Sequence, residues 1–539
     1  MSEGYRFGQP ASAAYTYPLL VGHLLQSAVD TRSGNEIVGS DGRRHGYDDL
    51  ARRVGRLGAV LTGLGIGPGD TVAVMDWDSH RYLEAYFAVP MLGAVLQTVN
   101  VRLSPEQIAY TLQDSGARLI LFHVDFEPLV ASLRHDLPDV ERWISMHDGA
   151  AGGPVATDGE YEALLADGDD LHSFGDFDEN AIATTFHTTG TTGLPKPVAF
   201  SHRQLVLHTL AVMAAFATRP EHQKLTHSDV YMPLTPMFHV HAWGLPYVAT
   251  LMGVKQVYPG RYVPDRLIAL HQAEGVTFSH GVPTLLRMLL DGLGDRVLPE
   301  PWKMIVGGSA LPGALRAAAF AQGIHAFAGY GMSETAPVIS IARFDAEDPR
   351  DRSDRSRLAG HPIPLAQVRV VDAEMRDVAE GELVVRAPWL TMNYGTDRAA
   401  SDALWCGGWL HTQDVARIDE RGDIEIRDRL KDVIKTGGEW VSSIQIEELA
   451  MQHPAVEAAA VIGIPDPRWG ERPILFVTAT QQQQQPSIEA MRTHLSAFVS
   501  KGVISRYGIP DRLIILEELP RTSVGKIDKK ALRLAAGEA

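Results

Sequence analysis

Between His187 and Pro197 the chain reads HTTGTTGLPKP, which packs four threonines, two glycines, two prolines and one lysine into eleven residues. Helices and strands reject that composition, because glycine and proline interrupt regular structure and threonine hydroxyls compete for backbone hydrogen bonds. Small hydroxyls, exposed backbone N–H groups and one cation make a phosphate cradle; a plain surface turn is the competing account. It is not a Walker A loop, since the residue five beyond Gly190 is Pro195 and not glycine. Two further glycine loops, GGSA (Gly307 to Ala310) and GYGMSE (Gly329 to Glu334), follow the strand-like runs KMIV and HAFA. Turns at the carboxyl ends of strands are where open α/β sheets bind ligands.

The elements that must carry these loops can be read from periodicity. In YDDLARRVGRLGAVLTGLG, Leu50, Val54, Leu57, Leu61 and Leu64 recur at three- and four-residue spacing, and TVAVM then reads as a buried strand. SPEQIAYTLQDSG offers Ser104 as N-cap, Pro105 at the first helical position and Gln107 to close a capping box, before the strand ARLILF. Helix and strand alternate in this way to about residue 340, which predicts parallel sheets covered by helices. From about Arg357 the pattern changes to period two in AQVRVVD, GELVVRAP and GDIEIRDR, predicting a small antiparallel β unit. From about Leu430 helices (IQIEELAMQHP, SIEAMRTHLSAFVS) mix with strands (VEAAAVIGIP, RPILFVTAT), as in a separate α+β unit, and Gln481 to Gln485 reads as a solvated loop within it.

Bulk properties narrow the classes. A chain of 539 residues makes about three to four domain-sized units. Its single cysteine, Cys406, excludes an internal disulfide and fits a reducing compartment. The N-terminus lacks a basic region followed by an apolar run, and the apolar stretch Ala85 to Leu96 is broken by Pro90 and Gly93, so neither a secretory signal nor a membrane span is expected. A formal net charge of −17 argues against general nucleic-acid or anionic-membrane binding. An anionic ligand must therefore be held by local cations and amides.

Five segments, TTGTTGLPK, GYGMSET, WLHTQD, DRLKDVIKTGGEW and PRTSVGKIDKKAL, occur in the order and approximate spacing of the adenylate-forming superfamily, and nearly the whole chain resembles it. GGEW followed by VSS, with YLEAYFAVP upstream, looks most like the medium-chain branch of its acyl-CoA synthetases. The resemblance implies a large N-terminal domain, 1–429, of two helix-covered parallel-type sheets to about 356 and a small β-barrel over 357–429. A small mobile α+β domain, 430–539, would follow. It further implies that Thr188, Thr189, Gly190, Thr191, Thr192, Gly193 and Lys196 wrap the β,γ-phosphates of ATP. Gly329, Tyr330 and Gly331 would flank adenine beside Gly308, Ser309 and Met332, Ser333 would contact the α-phosphate, and Glu334, with Thr188, would bind Mg²⁺. Asp414 would accept from the ribose hydroxyls with help from Arg429. His239 is placed beside an acyl pocket walled by Phe238, Trp243, Val282, Gly307 and Met332, with His241 as a competitor for its role. Two positions depart from the family pattern: Pro197 and Gln413 stand where glycines are usual, and proline removes a donor and fixes φ.

The resemblance gives the C-terminal lysines different steps. Lys526 would reach the α-phosphate and acyl carboxylate during adenylation. Lys435, with Gly437, Gly438, Glu439 and Trp440, would form the opposite face, used when coenzyme A attacks, and Lys431 would be the hinge. The implied reaction is that of a cytoplasmic fatty acid–CoA ligase taking a carboxylic acid, ATP, Mg²⁺ and coenzyme A, with a homodimer common among relatives. An aromatic or short thioether acid, a carrier-protein acceptor and a non-catalytic adenylate sensor are the alternatives. Chain length is not encoded by the motifs, because each buried methylene contributes only about 0.8 kcal/mol and one pocket side chain moves the optimum by several carbons.

Overall fold

The computed structural model describes residues 6, 8–149, 155–168, 172–188, 194–344, 355–437, 439–480, 485–522 and 527–538. Among these, two large sheets form the N-terminal body. One has seven strands in the order Gly159–Glu160, Arg142–Met146, Ala117–His123, Thr71–Met75, Val95–Thr98, Ile182–Thr188 and Lys196–Ser201, all parallel to their neighbours except the last. The other has nine strands whose parallel centre runs Ile324–Gly331, Trp302–Val306, Phe278–Gly281, Val230–Leu234, Lys255–Val257 and Glu36–Val38. The expected parallel, helix-covered arrangement is thus present.

Local signals explain individual elements. Helix Tyr47–Gly63 buries Leu50, Val54, Leu57 and Leu61 along one stripe, each such side chain contributing about 1.5–3 kcal/mol. Helix Pro105–Asp114 begins with the expected box: Ser104 Oγ accepts from the Gln107 N–H, and Gln107 Oε1 accepts from the Ser104 N–H, both at 3.3 Å. Helix His80–Met91 is buried on every side from His80 to Pro90, as expected of a helix sandwiched inside a large core. Its charged members are neutralised internally, with Glu84 accepting from Arg53 at 2.7 Å and from the Tyr161 hydroxyl at 2.6 Å. This accounts for the apolar run near residue 85, and no helix among the described residues is long and apolar enough to cross a membrane.

The β unit expected as a barrel is a five-stranded antiparallel sheet. Gln367–Val371 pairs Gly381–Arg386, which pairs the long strand Trp409–Ile418, and that strand also holds Trp405–Cys406 and Ile424–Arg429. A single ten-residue strand with partners on both edges gives open pairing among the described residues, and register shifts fall at Glu382/Val384 in Gly381–Arg386 and at Val415/Ala416 in the long strand. Beyond it a second five-stranded sheet, built on the hairpin Val456–Asp466 and Gly470–Ala479, packs with helices Ser443–Ala450 and Ile488–Ser500. Its two apolar clusters draw their buried members from 434–536, whereas the main core ends at Ile424 and Ile426. Of the glutamine run, 481–484 lies outside the described residues.

Candidate functional site

The strand Ile324–Gly331 carries the centre of the site. The sequence suggests that it stops before Gly329, but the backbone continues to Gly331 because Val338–Ile341 folds back as an antiparallel partner. A short helical turn, Ser333–Thr335, makes the hairpin tip, and Ala336 beyond it is left-handed, φ 68°. The next strand, Trp302–Val306, ends in the turn at Gly308, φ 77°, which leaves Ser309 exposed beside it.

Asp414, Arg429 and Tyr330 meet at this edge. Asp414 and Arg429 are cross-strand partners, with Arg429 Nε 3.3 Å from Asp414 Oδ1. The Tyr330 hydroxyl donates to Asp414 Oδ2 at 2.7 Å, and the Asp414 N–H donates to Thr412 Oγ1 at 3.1 Å. Asp414 is nearly buried, so a partnered carboxylate here is a fixed acceptor. Burial, and then the Asp414 charge, push the Tyr330 phenol well above its ordinary range, and Asp414 raises the Arg429 guanidinium above its usual value. The phenol and the guanidinium therefore each keep one charge state at neutral pH.

Gln413, in the position where glycine is usual, adopts φ 61°. A non-glycine residue in that region costs about 1–2 kcal/mol. The strain is offset by Glu382, whose Oε1 accepts from the Gln413 N–H at 3.0 Å and from its side-chain amide at 3.2 Å. Gln413→Gly keeps the backbone bond and relieves the strain, against about 0.5–1 kcal/mol of extra chain entropy. The expected outcome is a net gain of up to about 1 kcal/mol, seen as a higher midpoint in urea unfolding; a lower midpoint would show that the side-chain bond to Glu382 is the stronger effect.

Glu334, at the hairpin tip, is buried to 7 % exposure and accepts from the Tyr394 hydroxyl at 2.5 Å. Its backbone carbonyl accepts from the Thr391 N–H at 2.9 Å. Lys196 begins the strand that returns from the threonine loop, pairs with Thr188, and lies with Nζ 4.9 Å from the Tyr394 ring centroid. A buried carboxylate and a threonine hydroxyl are hard oxygen donors, the set that suits Mg²⁺ when nucleotide phosphates complete its coordination. Pro197 packs on Gly395, where an added Cβ would sit 2.8 Å from Pro197 Cγ. Tyr394 and Thr391 are missing from the sequence reading; the only signal for them is a polar TMNYGT loop directly after a β-strand pattern.

Of the residues expected around an acyl group, the structure brings Trp243 and Gly307 into contact. Val240, His241, Ala242, Trp243 and Gly244 form one left-handed turn, with φ between 47° and 72°. Four successive non-glycine residues in this region cost several kcal/mol and need fixed surroundings. The Asp78 carboxylate accepts from the Met237 N–H at 2.8 Å, and Thr98 Oγ1 donates to the Phe238 carbonyl at 3.0 Å. His241 is buried against Thr184, Nε2 to Oγ1 2.6 Å, and burial lowers its pKa to about 3, so it is a neutral core residue. His239 is only partly buried and stays the better candidate beside the pocket. The Trp243 ring lies against Gly307, whose Cβ would be 3.0 Å from Cη2, and 5.1 Å from the His280 ring. Val282 and Met332 pack on the same core.

In the C-terminal region Lys435 is exposed, with Nζ 5.6 Å from the Trp440 ring centroid, and its N–H donates to Glu471 at 2.8 Å. Gly437, φ 61°, packs against the Tyr507 ring, Glu439 pairs with Thr436, and Trp440 is exposed. The Lys431 carbonyl and the Asp432 carboxylate both accept from Arg533, at 3.2 and 2.5 Å. Thr189, Gly190, Thr191, Thr192, Gly193, Gly438 and Lys526 lie outside the described residues.

Comparison with known proteins follows the same division. The profile of the AMP-binding enzyme family matches residues 25–395 and that of its C-terminal domain matches 445–526. A long-chain-fatty-acid–CoA ligase of Thermus thermophilus is 40% identical over 98% of both chains. A medium-chain-fatty-acid–CoA ligase of Ectopseudomonas oleovorans is 32% identical over 96% of each, and a 3-methylmercaptopropionyl-CoA ligase of Ruegeria lacuscaerulensis is 34% identical over 96% of this chain and 97% of its own. Among solved structures, an anthranilate CoA ligase in complex with anthranoyl-AMP superposes with a TM-score of 0.84 at 25% identity, covering 97% of this chain and 98% of its own.

Proposed function

Since the chain belongs to the AMP-binding enzyme family, matched along most of its length, we propose that it is an ATP-dependent acyl-CoA ligase whose acid is a medium-chain fatty acid. The observation that carries this reading is that one hairpin, Ile324–Gly331 with Val338–Ile341, presents Tyr330 to a nucleoside-type acceptor, Asp414 with Arg429 from the five-stranded sheet, and Glu334 to Tyr394, whose ring also meets Lys196 from the seven-stranded sheet.

The carboxylate of the acid attacks the α-phosphorus of ATP and pyrophosphate leaves. The barrier is the approach of one anion to a polyanion, so positioning and charge neutralisation supply most of the help. Asp414 holds the ribose, and Lys196 and the threonine loop hold the β,γ-phosphates. Glu334 and Thr188 would hold Mg²⁺, which when bound supplies positive charge to the phosphate oxygens. Lys526 completes the α-phosphate site. In the second step the coenzyme A thiol attacks the acyl carbon and AMP leaves. The 430–539 unit, turning about Lys431, then presents Lys435 and Trp440 in place of Lys526, a shift between two closed populations. Separate apolar clusters on the two sides of residue 430 support that division.

Acid-dependent release of AMP and pyrophosphate, across acids from acetate to palmitate with benzoate and cinnamate, tests the reading. Turnover that requires coenzyme A and peaks at about six to ten carbons is expected. AMP release without thioester points to a carrier protein, and no release with any acid leaves only a sensor. Trp243 closes the wall beside Gly307 and His280, so Trp243→Ala should move the optimum up by about four carbons. An unchanged chain-length profile places the acyl group elsewhere.

A further inference from the structure

Tyr394 belongs to none of the segments that carry the family resemblance, yet it touches two residues assigned to the nucleotide. We propose that Tyr394 is a positioning residue that sets the Glu334 carboxylate for the metal and the Lys196 ammonium for the phosphates. This rests on the roles proposed above for those two residues.

Its hydroxyl donates to Glu334 Oε1 at 2.5 Å, which fixes the rotation of the carboxylate. Its ring lies 4.9 Å from Lys196 Nζ, within the range of a cation–π contact. One aromatic side chain thus touches both groups, its hydroxyl meeting the anion and its ring the cation.

The segment around Tyr394 is tied to both sides of the site. Thr391 donates its N–H to the Glu334 carbonyl at 2.9 Å and its hydroxyl to the Ala199 carbonyl at 3.1 Å, which joins the hairpin tip to the strand that starts at Lys196. Trp405 Nε1 donates to the Thr391 carbonyl at 3.1 Å, and Gln204 Nε2 donates to the Leu390 carbonyl at 2.6 Å. The Tyr394 N–H donates to Ser401 Oγ at 3.0 Å. Gly395, φ 56°, accepts the Pro197 ring in the space a Cβ would fill. Proline 197 therefore has a specific seat in this chain, against the same segment that holds Lys196.

The two contacts separate experimentally. ATP binding is measured by calorimetry with and without Mg²⁺ on the full chain and on Tyr394→Phe, Tyr394→Ala and Glu334→Gln. Tyr394→Phe removes the hydroxyl but keeps the ring. Its Mg²⁺ concentration for half-maximal enhancement of ATP binding should rise about tenfold, with metal-free ATP affinity and thermal midpoint unchanged. Tyr394→Ala should in addition weaken metal-free ATP binding about fivefold, through Lys196. A Phe variant with unaltered Mg²⁺ dependence, beside a Glu334→Gln that shifts it, overturns the role of Tyr394. Equal loss of metal-free binding in the Phe and Ala variants overturns the division between hydroxyl and ring. If Glu334→Gln itself leaves the Mg²⁺ dependence unmoved, the metal assignment fails first and the proposal fails with it.

Discussion

Lys526→Ala should slow acyl-adenylate formation about a thousandfold, a loss of about 4 kcal/mol of transition-state stabilisation. The reason is electrostatic. The attacking carboxylate and the α-phosphate are both anionic, and this chain carries a net charge of −17, so it has no general positive field to spare for them. Each cation placed at the reacting atoms then carries a large share of the neutralisation. The same variant, given ready-made acyl-adenylate and coenzyme A, should form thioester at nearly the parent rate, because the phosphoanhydride chemistry is already complete. Lys435→Ala should behave in the opposite way. Its side chain is exposed over the Trp440 ring, on the strand Ile434–Thr436. Single-turnover pyrophosphate release and thioester formation, measured separately on both variants, decide the matter. Equal loss of the same step in both would remove the idea that two faces of one small domain serve two reactions.

What the sequence reveals about this protein is what local rules determine. The Ser104/Gln107 box, the Leu50 to Leu61 stripe and the period-two strands of the β unit depend on residues within a few positions of each other, and each element forms where that spacing predicts. The Asp414–Arg429 pair was legible through its motif and is then realised by strand register. Three features were not legible. The left-handed turn Val240–Gly244 has no local reason to exist, since its residues are not glycine except the last; it is held by Asp78, Thr98 and Thr184 from more than fifty residues away. Tyr394 reaches Glu334 across sixty residues. The open pairing of the β unit depends on which edges the long strand Trp409–Ile418 presents, and alternation alone does not specify edges.

The two glycines of GYG illustrate the same limit and carry the second large prediction. In sequence they look equivalent, both flanking Tyr330 and both freeing backbone for a ligand. In the structure an added Cβ at Gly329 would meet Ile305 Cγ2 at 2.8 Å, whereas at Gly331 it would meet the Pro337 carbonyl oxygen at 1.7 Å. The Ile305 side chain can give by a small χ1 rotation, at some cost in rotamer strain. A backbone carbonyl cannot, and this one also accepts from the Thr335 hydroxyl, which holds the hairpin tip on which Glu334 sits. Gly331→Ala must therefore push the tip away from the strand by about an ångström, at about 2–3 kcal/mol of stability. Tyr330 precedes it and Glu334 follows three residues later, so the displacement separates the ribose-side contacts from the phosphate-side ones. A 1 Å misplacement costs about a hundredfold in rate. Gly331→Ala is accordingly expected to lower adenylation about a hundredfold and to lower the unfolding midpoint, while Gly329→Ala stays within about tenfold of the parent. Unfolding and adenylation measured on both variants test the difference. Equal effects at the two positions would mean that Gly331 is needed for ligand approach and not for closure of the hairpin against Pro337.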